Sequence, residues 1–78
     1  MKTSVFIESL RKELPPVFTR RVASQMTGGF LSIGALANLD SKGQGPVSAK
    51  AGKRILYEKE AFLEWLATRL EKFNDRVA

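Results

Sequence analysis

Cysteine and histidine are both missing from this 78-residue chain. Without thiols there are no disulfide staples, and without imidazole the usual zinc ligand sets are closed as well. The missing disulfides fit a reducing compartment. Long apolar runs are missing too: the longest stretches last a few residues, against the roughly 20 that a membrane-crossing helix needs. The amino-terminal MKTSVFIESLRKEL is interrupted by Glu8 and reaches no small-residue cleavage site, so no signal peptide is expected. The expected setting is cytoplasmic and nucleoid-associated, with no membrane partner.

Catalytic groups are scarce for the same reason. An enzyme needs a positioned base, nucleophile, metal or cofactor. Here those roles would fall on carboxylates, lysines, a serine or the one tyrosine. The acids other than Asp40 lie on segments of helical period that suit solvated faces. Neither Thr27-Gly28-Gly29 nor Gly43-Gln44-Gly45-Pro46 follows a strand and opens into the Gly-Lys-Ser helix start of a phosphate loop. No catalytic residue, cofactor or metal is expected.

Acidic residues are almost absent from the middle of the chain. Between positions 15 and 54, Arg20, Arg21, Lys42, Lys50, Lys53 and Arg54 face Asp40 alone, so this segment carries the equivalent of the whole net charge of +5. The flanks nearly cancel. A concentrated positive field attracts polyanions, of which nucleic acid is the most abundant in a cell. A solvated basic surface without a partner is the alternative.

What is present reads as short elements around one small core, since a chain of this length makes one domain. Phe6, Leu10 and Leu14 recur every four residues with Ile7 alongside, predicting an amphipathic helix over 4–14, capped by Thr3 or Ser4 and ended by Pro15 and Pro16. It serves packing or a dimer contact. Val17 and Phe18 lead to Thr19, the expected N-cap of a helix over 20–27 with Val22, Ala23 and Met26 inward. Gly28 and Gly29 stop it. Ser32 then caps a second short helix whose inward stripe is Ile33, Leu36 and Leu39, with Gly34, Ala35 and Asn38 opposite; it ends near Asp40 or Ser41. After the KGQGP loop, 47–50 and 53–57 form a β-hairpin about Ala51-Gly52, and its tip carries Lys50, Lys53 and Arg54. Phe62, Leu66, Leu70 and Phe73 mark a final helix over 58–73, widened by Leu63 and Trp65, with 74–78 fraying.

Four segments in this order carry a resemblance: TRRVASQMTG, LANLDSKGQGP, AGKRILY and EAFLEWL. Together they cover about residues 17–70 and resemble small bacterial and phage helix-turn-helix proteins of the excisionase-like group, related to the DNA-binding domains of mercury-resistance-type regulators. The resemblance implies an α+β, mostly helical fold: a winged helix-turn-helix of about four helices and a two-stranded β-hairpin wing. The domain would run over 17–73, after an amino-terminal helix and Pro-Pro break at 1–16. It further implies sequence-preferring binding to double-stranded DNA, by a transcription regulator or an excisionase-like recombination directionality factor. The second helix would enter the major groove and the wing would reach the backbone or minor groove.

The resemblance is carried over residue by residue. Thr19, Arg20 and Arg21 open the first helix of the motif and suit phosphate, a solvated cap being the other option. Ser32 either caps the second helix or also donates to phosphate. Asn38 is the candidate base reader, because its amide can pair both edges of adenine; a plain surface asparagine is the alternative. Lys42 continues that face toward the backbone, and Lys50, Lys53 and Arg54 place the wing. Relatives often carry larger polar or basic residues where this chain has Gly34 and Ala35. The helix can therefore approach closely at Ala35 while reading few bases, and affinity should be largely electrostatic. Tyr57, Phe62, Trp65 and Leu66 read as core. A single module covers few base pairs, so a homodimer or tandem binding is expected, with a recombinase or the transcription machinery as protein partners. The competing reading is a protein-interaction module that keeps the scaffold without DNA binding, signalled by an exposed patch at Phe6, Ile7 and Phe73. RNA binding ranks below both, because the aromatics fall on apolar stripes.

Overall fold

The computed structural model describes residues 3–77, with side chains described over 5–71. The elements are α1 (Thr3–Glu13), β1 (Val17–Thr19), α2 (Arg20–Met26), α3 (Ile33–Ser41), β2 (Ser48–Ala51), β3 (Arg54–Glu58) and α4 (Lys59–Val77). The result is an α+β, mostly helical arrangement. The sheet corrects the two-stranded expectation: it has three antiparallel strands in the order β1-β3-β2. β1 pairs Phe18 with Tyr57, and β2 pairs Ser48 with the same Tyr57, so β3 is the central strand. Nothing local announces β1, because the strand it pairs with lies far downstream.

The local signals at helix starts are physical caps. Thr19 has extended backbone, and its Oγ1 accepts from Val22 N at 3.4 Å. Ser32 does the same for α3, with Ala35 N donating to its Oγ at 3.0 Å. Each satisfies one amide that the first helical turn leaves without a carbonyl. Gly52 takes a φ of 63° at the hairpin tip, which L-residues rarely adopt. The tight turn is Gly52-Lys53, one residue later than the spacing predicts, because Ala51 still pairs with Arg54. Glu58 ends β3 and starts α4: its carboxylate accepts from Glu60 N at 2.8 Å and Ala61 N at 3.1 Å. Those two amides hold the Glu58 carboxyl below its usual range.

α4 corrects the predicted end at Phe73. Its backbone stays helical to Val77, since no glycine or proline follows Phe73 to stop it. Ala78 lies outside the described residues, as does the Phe73 side chain.

The core forms where α1 packs on α4 and α4 packs on the central strand β3. Ile7, Leu10 and Leu14 come from α1, and Phe62, Leu63 and Leu66 from α4. Between them sit Phe18 and Tyr57; the Phe18 and Phe62 rings meet edge-on at 5.1 Å between centroids, a favoured aromatic geometry. Leu36 of α3 and Ala23 of α2 are fully buried and hold the two short helices to this core. Two stripe residues depart from expectation. Phe6 is 49% exposed and Ile33 48%, although Ile7, beside Phe6 in the same turn, is buried.

Candidate nucleic-acid interface

Arg20 is drawn inward. Its guanidinium donates to Asp40 Oδ2 at 2.8 Å from Nη2 and 3.3 Å from Nε. Its Nε also approaches the Tyr57 hydroxyl at 3.3 Å, and that hydroxyl donates to the same Asp40 Oδ2 at 2.7 Å. One carboxylate oxygen thus ties α2, the end of α3 and the central strand together. Arg20, expected at phosphate, has its charge paired with Asp40 within the fold. Asp40, the single acid of the basic segment, is accordingly internal to the network. Pairing with Asp40 raises the Arg20 pKa further above its ordinary value. Burial first, and the bond to Asp40 second, push the Tyr57 hydroxyl up to about 12.

Arg21, one residue on, is exposed. Among the described residues, the side chains of Arg21, Lys42, Lys50, Lys53 and Arg54 make no hydrogen bond or ion pair. All five are exposed. Burying none of their charge within the protein leaves their field directed into solvent.

Several of these residues converge. A surface hollow of about 310 Å³ is lined by Thr19, Arg20, Arg21, Ile33, Arg54 and Ile55. It is where the start of α2, the start of α3 and the tip-proximal end of β3 meet. The hydroxyls of Thr19 and Ser32 accept the capping amides at this end and keep their O–H groups as donors. Lys50 and Lys53 extend the positive surface along the hairpin: Lys50 lies across from Ile55, and Lys53 sits in the turn beside Arg54. Lys42 stands apart, at the C-cap of α3. A helix rises 1.5 Å per residue, so Lys42 lies roughly 13 Å along the axis from Ile33. On the outward side of α3, Gly34 and Asn38 follow each other at one-turn spacing; Gly34 is exposed, and Ala35 is half-buried at its flank.

Three contributors carry no site signal in the sequence, or a faint one. Asp40 and Tyr57 set the position of α3 against the sheet, and their contact spans 17 positions. Ile33, expected in the core, stands among the cations. Only the isolated acid in a basic run hints at the first of these. Trp65 is half-buried rather than core: its Nε1 donates to Gln44 O at 2.9 Å, and Arg69 lies over its ring at 5.2 Å.

A second hollow, about 290 Å³, opens between α1, the end of α2 and α4. Phe6, Leu10, Met26, Leu66 and Leu70 line most of it. Ile7, which the interaction-module reading would expose beside Phe6, is buried. Among the described residues no cluster of acidic side chains can hold a metal ion. No described helix is long and apolar enough to cross a membrane. Comparison with family models, with curated proteins and with solved structures finds no match for this chain.

Proposed function

We propose that this chain binds double-stranded DNA as a winged helix-turn-helix, with α3 in the major groove and the β2–β3 hairpin as the wing on the backbone or minor groove. The observation that carries the reading is the set of five cations without internal partners, three of them on or beside the hairpin tip. Electrostatics that the fold does not consume are available to phosphate. The element order supports it: a helix pair capped at Thr19 and Ser32 leads directly into the hairpin, and β1 fastens the first helix of the pair to the central strand. The excisionase-like resemblance supplies the biological class, a transcription regulator or recombination directionality factor acting as a dimer or in tandem.

The test is a fluorescence anisotropy titration of a labelled duplex across salt. Five phosphate contacts give a slope of about −4.5 in log K against log salt, so affinity falls about 500-fold between 50 and 200 mM. Tight binding that ignores salt, or no binding at 50 mM, would count against the mechanism.

A second reading, a protein-interaction module, has the apolar hollow at Phe6 and Met26 in its favour. It requires an exposed Phe6 to matter for a protein complex while duplex affinity is absent. Phe6→Ser, assayed for self-association by sedimentation and for duplex binding in parallel, separates the two.

A further inference from the structure

Ile33 occupies an expensive place for a large aliphatic side chain. It is the first residue of α3, 48% exposed, and shares its hollow with Arg20, Arg21 and Arg54. An aliphatic group gains by leaving water, and here the protein gives it only part of that gain. Its neighbour Gly34 has no internal reason to be glycine. Its backbone is ordinary helix, and a Cβ placed there would meet nothing within 4 Å. Glycine disfavours helix, yet packing neither needs nor rewards it at this position. The two residues together make the exposed start of α3 apolar on one side and bare on the next.

Resting on the duplex-binding reading above, we propose that Ile33 is a specificity-determining residue that packs on the C5-methyl group of thymine, and that Gly34 lets the helix come close enough to do so. Residues at the start of a recognition helix are those that meet base edges. In the major groove the thymine methyl is the one apolar feature among donors and acceptors, and aliphatic contact reads it. Arg21 and Arg54 line the same hollow and are available to phosphates near such a contact. Preference therefore arises from a methyl group at the α3 start, with Asn38 further along the helix free to read adenine.

The test removes the methyl and nothing else. An alternating dA–dT duplex of about two helical turns is compared with the same duplex carrying deoxyuridine in place of thymidine, for the wild-type chain, Ile33→Ala and Gly34→Leu. The wild type should bind the thymine duplex about four-fold more tightly, the worth of one methyl group leaving water. Ile33→Ala should bring the ratio to about one while the salt slope stays unchanged, because no charge is altered. Gly34→Leu should weaken binding to both duplexes with thermal stability held or raised. Equal wild-type affinity for the two duplexes, with a normal salt slope, overturns the methyl contact and leaves duplex binding standing. A thymine preference that survives Ile33→Ala overturns the role of Ile33. Absence of binding to either duplex at low salt overturns both readings at once, and an Ile33→Ala change in sedimentation would then mark the side chain as a protein contact.

Discussion

Arg20 and Asp40, 20 positions apart, are joined by a 2.8 Å charge-assisted hydrogen bond whose acceptor oxygen also holds the Tyr57 hydroxyl. The side chains are 25% and 14% exposed, so the pair is shielded from water more than an ordinary surface bridge. The next residue, Arg21, has the same chemistry and no partner among the described residues. Adjacent arginines therefore have separate duties, one to the fold and one to whatever the surface meets.

That division is measurable. Arg20→Ala leaves Asp40 under-compensated and should cost about 1–3 kcal/mol in urea unfolding. Arg21→Glu should leave stability within about 0.5 kcal/mol and weaken duplex binding. Equal losses of stability for both variants would show that the pair does not hold the helices.

Charge reversal at Lys53 and Arg54 should weaken binding to every duplex alike and flatten the salt dependence. Removing one phosphate partner lowers the slope by about 0.9. Anisotropy titrations at several salt concentrations on two unrelated duplexes check this; a sequence-selective loss would assign the hairpin a base-reading part instead.

Asn38→Ala should do the opposite. Without its bidentate amide, about 1–3 kcal/mol of discrimination disappears at a single A·T pair and little changes elsewhere. Selection of bound duplexes from a random pool, run for wild type and variant, reads out the relaxed position. The spacing of any enriched half-sites also reports whether one or two copies bind.

Tyr57 is the only tyrosine, so its ionisation can be followed by ultraviolet absorbance without interference from another phenol. Folded, it should titrate near 12, against 10.0 for an exposed phenol. The raised value means the neutral hydroxyl is favoured in the native state. Its contribution to stability is fully present below pH 10 and is lost as pH climbs through about 12. Titration at 10 in the folded chain would contradict both the burial of the phenol and its bond to Asp40.

Gly45→Ala should destabilise by about 1–3 kcal/mol. A Cβ there would overlap Asp40 Oδ1, and the carboxylate has no room to yield while Arg20 and Tyr57 hold it. Thermal melting checks it, and in an Asp40→Ala background the added cost of the alanine should disappear.

Legible in the sequence is whatever depends on a few adjacent residues. Thr19 and Ser32 announce their helices because a cap acts within a single turn, and Gly52 announces a turn because its backbone freedom is intrinsic. β1 is hidden because Val17 and Phe18 become a strand only by pairing with Glu58 and Tyr57. The roles of Arg20 and Asp40 are hidden for the same reason. Ile33 fits a three-residue stripe with Leu36 and Leu39, yet periodicity does not say where the core stops. The charge pattern does identify the basic segment, though not which of its cations the fold claims.

No residue intervenes between β3 and α4: Glu58 closes one and caps the other, and Lys59 N is fastened to Pro16 O at 2.9 Å. That junction gives tilting of the hairpin a direct route to the start of α4. The lone tryptophan rides on that helix, its ring 5.9 Å from Phe62 and beneath Arg69. If the junction transmits such tilting, load applied at Lys53 should register as a change in Trp65 emission further down the helix.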